Sequence, residues 1–394
     1  MTPKQLTPQQ QQAYDNLKVD KNNRLVLSLD GGGVRGILTL QLLKKIEEIA
    51  GIPCFELFDL VAGTSTGGII AGLISSGKTA VEIESLYKQF VSKVFLKRGI
   101  LANQFLNPPA YDKKNFRSAL KALIGNITLE EAHKTTGVDL LITAKDVTDN
   151  EETFFTCFEN NGTINGTYKD ALLRTVMEAT MSAPTYFHPL ERFIDGGTTT
   201  YNNPTTAAFL EAVCYSGSGK YVADNMTIFS MGTGRKVQSV TPERAAEPKG
   251  LDAYFWLMYV MDESGQDASS MQSDIFRSGF LKTDFRRFQI SLDTFAIHKI
   301  PDRDIKALNI TNADWLSELT MEELSAIQMD DVSKFDLLTE IGQAMVEYIM
   351  IKNKFTRDLN DTPSKRDELV TAFNGVPQIK PKVKLASWID SEPS

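Results

Sequence analysis

Up to about residue 235, short apolar runs alternate with amphipathic stretches. Residues 24–30 (RLVLSLD) form a compact apolar run ending in three glycines, the pattern of a parallel strand buried on both faces. A helix follows, with Leu42, Leu43, Ile46, Ile49 and Ala50 on one side. Residues 56–63 (ELFDLVAG) predict a second strand and 67–76 a helix of small residues. Ile83, Leu86, Tyr87, Phe90, Val91, Val94 and Phe95 recur at three- and four-residue spacing and predict another helix. Further strands are predicted at 138–147, 153–158, 192–195 and 226–234, with helices at 169–181 and 204–214. Beyond about residue 250 the pattern turns helical, with a strand near 285–292 and a last amphipathic helix carrying Leu337, Leu338, Ile341, Ala344, Met345 and Tyr348.

Strands alternating with helices predict an α/β fold, a mostly parallel central sheet in three α/β/α layers with an added helical C-terminal part. The expected organisation is a polar N-terminal arm over 1–23, a body over 24–352 and a polar C-terminal extension over 353–394. In such sheets ligands bind beyond the carboxyl ends of strands, which is where the glycine clusters fall. These are Gly31, Gly32 and Gly33, Gly63 and Gly67, Gly196 and Gly197, and Gly232 and Gly234.

Charge and composition narrow the chemistry. A formal net charge of −8 argues against a nucleic-acid polymer as partner. The three cysteines, Cys54, Cys157 and Cys214, fit free thiols in a reducing compartment. With no Cys-x-x-Cys and only His133, His188 and His298, neither a metal site nor another cofactor is expected. The polar opening MTPKQLTPQQQQ is unlike a secretion signal, and no run of about 20 apolar residues occurs, so the expected location is the cytoplasm.

Gly63-Thr64-Ser65-Thr66-Gly67 fits G-x-S-x-G between a strand and a helix, the setting of a nucleophile elbow. Ser65 is the candidate nucleophile. Asp30-Gly31-Gly32-Gly33-Val34-Arg35-Gly36 also links a strand to a helix. Its bare backbone could cradle a phosphate or stabilise an oxyanion, and the neighbouring serine favours the oxyanion hole. Arg35 either braces this loop or meets a lipid phosphate. A serine needs a base. His133 sits in a polar helical stretch and His298 lacks a glycine turn, leaving His188 as the one rival to Asp195, which ends a short strand before Gly196-Gly197. Burial would raise the proton affinity of Asp195 and suit it to the task.

At these residues the sequence resembles the patatin-like phospholipases, whose three motifs match Asp30–Gly36, Gly63–Gly68 and Asp195–Gly197 in order. The resemblance extends over roughly residues 24–352 and takes in Ser182-Ala183-Pro184-Thr185 and the segment 230–234. It implies a Ser65–Asp195 dyad without histidine, an oxyanion hole of Gly31, Gly32 and Gly33 amides, and no metal. The implied reaction is hydrolysis of fatty-acyl esters of membrane phospholipids or other glycerolipids through an acyl-enzyme. Acyl transfer by the same dyad, or a storage or regulatory protein with an unused site, are the competing readings. Some bacterial members of the family await activation by a cyclic nucleotide or a host factor and then degrade membranes, and the N-terminal arm and tail are candidate places for such control or for oligomerisation.

A lipase must also reach lipid. Lys93, Lys97, Arg98, Lys113, Lys114 and Arg117 stand against one acid, Asp112, in a segment interleaved with Phe95, Ile100, Leu101, Phe105 and Leu106. That segment is a candidate rim for transient peripheral contact with anionic membranes, with Lys113, Lys114 and Arg117 as its test residues.

Overall fold

The computed structural model describes residues 4–95, 111–166, 168–217, 219–236, 253–292 and 318–353. Ten strands are assigned among them: β1 Arg24–Leu29, β2 Leu60–Thr64, β3 Asp139–Asp146, β4 Glu151–Asn160, β5 Thr163–Asn165, β6 Phe193–Asp195, β7 Met226–Met231, β8 Arg235–Lys236, β9 Asp284–Phe288 and β10 Ser291–Leu292. Eight build one sheet in the order β5-β4-β3-β2-β1-β7-β9, with β6 pairing β3 off that path. The pairs β3–β2, β2–β1, β1–β7 and β7–β9 are parallel, whereas β4, β5 and β6 join antiparallel. The expected mostly parallel α/β/α architecture is the observed one.

The helices are α1 Pro8–Leu17, α2 Gly36–Ala50, α3 Cys54–Leu57, α4 Thr66–Ser75, α5 Ala80–Val94, α6 Lys113–Ile124, α7 Leu129–Thr136, α8 Leu173–Thr180, α9 Thr205–Leu210, α10 Ala253–Arg277, α11 Met321–Ser325 and α12 Phe335–Asn353. Side chains alternate across a strand, so β1 serves two cores. Leu25, Leu27 and Leu29 join the larger cluster with residues of α1, α2, α4, α5, α8 and α12. Val26 joins the smaller one with Ala207, Ala208 and Phe209 of α9 and Phe276 of α10. The last amphipathic stretch behaves as its periodicity predicts, with Leu338, Ile341 and Met345 of α12 wholly buried.

Two segments depart from expectation. Residues 56–63 do not form one strand: Pro53 opens the short helix α3, and β2 starts only at Leu60. Asp59 interrupts the run because its carboxylate accepts the Leu25 N–H at 2.8 Å and pairs with Arg24 at 3.1 Å. The N-terminal stretch, read as a short helix or a loose polar arm, forms the helix and packs it into the core. Thr7 caps α1 reciprocally with Gln10, and Ala13, Tyr14 and Leu17 are fully buried. Lys4 pairs with Asp59, and Arg286 donates to the Leu17 and Lys18 carbonyls at 2.7 and 2.8 Å, binding the end of α1 to β9. The proposed extension from residue 353 lies, apart from Asn353, outside the described residues.

Candidate active site

The turn from β2 into α4 is as tight as its glycines require. Ser65 sits at φ 53°, ψ −121°, a left-handed conformation that few side chains tolerate. A Cβ at Gly63 would lie 2.2 Å from the Gly67 carbonyl oxygen, and one at Gly67 would lie 2.2 Å from the Leu29 carbonyl oxygen. The turn is also held from α8, where Thr180 Oγ1 accepts the Ser65 N–H at 2.8 Å.

The sheet register explains how distant motifs meet. Thr64 lies opposite Thr143 on β3, and the next β3 residue, Ala144, lies opposite Asp195 on β6. Ser65 Oγ consequently donates to Asp195 Oδ2 at 2.7 Å. The other carboxylate oxygen accepts the Gly197 N–H at 2.7 Å, and the Asp195 N–H donates to the Ser182 carbonyl at 3.1 Å. Gly196 closes β6 onto Thr143 with no room for a side chain. Both Ser65 and Asp195 are buried, at 8% and 5% exposure. Burial pushes the Asp195 carboxyl up to about 7, and the hydrogen bonds from Ser65 and Gly197 oppose that only in part.

The glycine loop follows β1 beside the elbow: a Cβ built on Gly31 would stand 3.1 Å from Ser65 Cβ. The Gly31 N–H, however, donates to the Asn202 carbonyl at 3.1 Å. That amide is committed, which leaves Gly32 and Gly33 of the three expected loop donors as candidates. Neither of those N–H groups has an acceptor among the described residues. The next one, of Val34, donates to the Met329 carbonyl at 2.7 Å. Arg35 is buried and braces the loop, its backbone N–H donating to the Gly32 carbonyl at 3.2 Å and its Nε at 3.4 Å. Behind the loop, Arg287 of β9 holds Asp30 through Nη1 and Nη2, at 2.8 and 2.5 Å, and its Nη1 donates to Ser230 Oγ at 2.8 Å. Burial pushes the Asp30 carboxyl up and Arg287 pulls it back.

Neither His133 nor His188 hydrogen-bonds to this cluster among the described residues. His188 is exposed. His133 is not solvated, as its polar surroundings predicted, but buried against Asp139 at 3.0 Å, at the far end of β3. His298 lies outside the described residues. The candidate basic rim is partly engaged within the protein. Lys113 and Arg117 both pair with the buried Glu178 of α8, at 3.2 and 2.9 Å, and Lys113 also donates to Ser182 Oγ at 3.0 Å. Both thus help neutralise an internal acid, while Arg117 remains exposed and Lys114 is exposed without that pairing. Lys97, Arg98 and the apolar residues between 100 and 106 lie outside the described residues.

Sequence reasoning missed Asn202, Thr180 and Arg287, each an ordinary residue far along the chain from the motif it touches, with no local pattern to mark it. Thr233 lies within the singled-out segment 230–234, but no role was read for its side chain.

A buried serine on a strand–helix elbow, hydrogen-bonded to a carboxylate and flanked by a glycine loop, sets this chain among the α/β proteins with a nucleophile-elbow site. The model of the family described as Patatin-like phospholipase matches residues 27–209, and this part of the chain is a domain of that family. It is 34% identical over 232 residues to the 85/88 kDa calcium-independent phospholipase A2 of Rattus norvegicus, covering 54% of this chain and 27% of that protein. It is 32% identical over 241 residues to a cGAMP-activated phospholipase of Escherichia coli, covering 57% of this chain and 66% of the relative. A cGAMP-activated phospholipase of Vibrio cholerae is 24% identical over 380 residues, which span 90% of this chain and 98% of the relative. The chain thus spans about a quarter of the length of the mammalian relative.

Proposed function

We propose that the protein is a lipid acyl hydrolase of the phospholipase A or lysophospholipase type, cleaving fatty-acyl esters of membrane glycerolipids. The observation that carries this reading is the 2.7 Å hydrogen bond from Ser65 Oγ to a buried Asp195 carboxylate. Asp195 takes the hydroxyl proton as Oγ attacks the ester carbonyl carbon. The carbonyl oxygen becomes an oxyanion facing the Gly32 and Gly33 amides. Each such donor contributes roughly 100- to 1000-fold in rate. Collapse of the tetrahedral intermediate leaves acyl-Ser65, and the departing alcohol takes the proton from Asp195. Water, deprotonated by the same carboxylate, then releases the fatty acid and restores Ser65. A carboxyl titrating near 7 suits both directions of proton transfer at neutral pH.

Among the described residues no helix is long and apolar enough to cross a membrane, and the lipid is reached by transient contact with its surface. The two bacterial relatives named for activation by cGAMP support a cyclic dinucleotide as activator. The test is mass spectrometry of fatty acid released from membranes, with and without cGAMP. Ser65→Ala and Asp195→Ala should abolish release in both conditions, while His188→Ala should keep most of it. Release at the wild-type rate from Ser65→Ala removes the reading, and equal rates with and without cGAMP remove the activator.

A further inference from the structure

A loop of three glycines has no side chains with which to fix its own peptide planes. Yet an oxyanion donor must be aimed within a few tenths of an ångström to act. Each peptide is a rigid trans plane in which the C=O of one residue and the N–H of the next point in opposite directions. Whatever grips the carbonyl of one glycine therefore aims the amide of the following one.

The carbonyls of this loop are all gripped. Thr233 Oγ1 donates to the Gly31 carbonyl at 2.7 Å, the Arg35 N–H donates to Gly32, and the Tyr87 hydroxyl donates to Gly33. The Tyr87 contact sets the Val34 amide, which Met329 already occupies. The Arg35 contact sets the Gly33 amide and belongs to the short 3-10 turn Gly33–Arg35 itself. The Gly32 amide differs from both. Its peptide is aimed by a side chain 202 residues away. The other end of that Gly31 unit is pinned as well, its N–H on the Asn202 carbonyl.

The grip has no slack. Thr233 is buried at 4% exposure, and a Cβ on Gly32 would lie 2.1 Å from Thr233 Oγ1. Thr233 in turn stands on a fixed base. The Gly232 N–H donates to the Phe288 carbonyl at 2.8 Å, Thr39 Oγ1 donates to the Gly232 carbonyl at 3.1 Å, and Gly234 makes the turn at φ +93°.

We propose that Thr233 is a positioning residue for the oxyanion hole: its hydroxyl, by holding the Gly31 carbonyl, turns the Gly32 amide toward the oxygen of the reacting ester. This rests on the Ser65–Asp195 reading above. The role needs a hydroxyl donor and no methyl group.

The experiment compares Thr233→Val, which keeps the shape and loses the donor, with Thr233→Ser, which keeps the donor. Both are assayed on a water-soluble nitrophenyl ester, with Thr233→Cys as a near-isosteric weak donor should the valine variant not fold. Thr233→Val should lose about 10- to 100-fold in kcat, somewhat less than deleting a donor outright, with KM within about twofold. Thr233→Ser should recover most of the loss, and Thr233→Cys should fall between. The pH midpoint of kcat/KM should stay where wild type has it, because the base is untouched. Wild-type kcat in the valine or cysteine variant, or a serine variant as slow as the others, overturns the proposal. So does a loss confined to KM. Ser65→Ala and Asp195→Asn run alongside: if either keeps activity the underlying reading fails, whereas their inactivity beside a fully active Thr233→Val sinks Thr233 alone.

Discussion

Asp195 owes its raised proton affinity to desolvation, opposed only by two hydrogen bonds that favour the ionised form. Because the base must be ionised, kcat/KM on a soluble ester should rise with pH, pass its midpoint near 7 and level off above. A flat profile from about pH 5 to 9 would count against Asp195 as base. The same shift has a stability cost of known sign. The folded state binds this proton more tightly than the unfolded chain, whose carboxylates titrate near about 3.9. The stabilisation it gives is complete below that value and is lost as pH rises through 7. Asp195→Asn should therefore melt higher than wild type at pH 8, with the gain shrinking as pH is lowered toward 4. The three motifs were legible because their constraints are local: a glycine two residues either side of Ser65 is demanded by the turn itself. Thr180 and Asn202 were not, since one hydroxyl or one backbone carbonyl leaves no pattern in a sequence.

Among elements, β9 was legible as a strand, but the task of its side chains was not. Its Arg286 and Arg287 are 4% and 6% exposed, and alternation sends them to opposite faces. One closes the carbonyl end of α1, and the other neutralises Asp30 at the root of the glycine loop. The strand expected near 285–292 is there, starting at Asp284, but nothing in the sequence marks its two adjacent arginines as buried. Removing one partner of such a buried pair leaves an uncompensated charge. Arg287→Met should cost about 3–5 kcal/mol in denaturant unfolding and slow catalysis, and adding Asp30→Asn should return much of the stability. An unchanged unfolding midpoint in the single variant would show that the pair is not holding the loop. α6 teaches the converse. Lys113 and Arg117 looked like a free basic face because their partner, Glu178, lies 61 residues beyond Arg117.

For the molecule as a whole, the layer architecture followed from strand–helix alternation, but its limits did not. The glutamines of α1 put polar letters on the exposed positions and masked three core residues, Ala13, Tyr14 and Leu17. Deleting residues 1–17 should forfeit roughly 3–6 kcal/mol from burial of Tyr14 and Leu17 alone, before Lys4 and the Arg286 contacts are counted. Circular dichroism melts should show the whole domain unfolding earlier in one transition; an unchanged melt would make the segment an appendage after all.

The family signature ends at residue 209, yet the glycine loop inside it is shaped by Thr233, Arg287 and Met329. A gene trimmed to that signature would spell every motif correctly and still deliver a loop with nothing behind it. Cloning boundaries, chimeras and transplanted sites drawn from such signatures inherit the same defect. The span of letters that identifies this protein is shorter than the span of chain that makes its site.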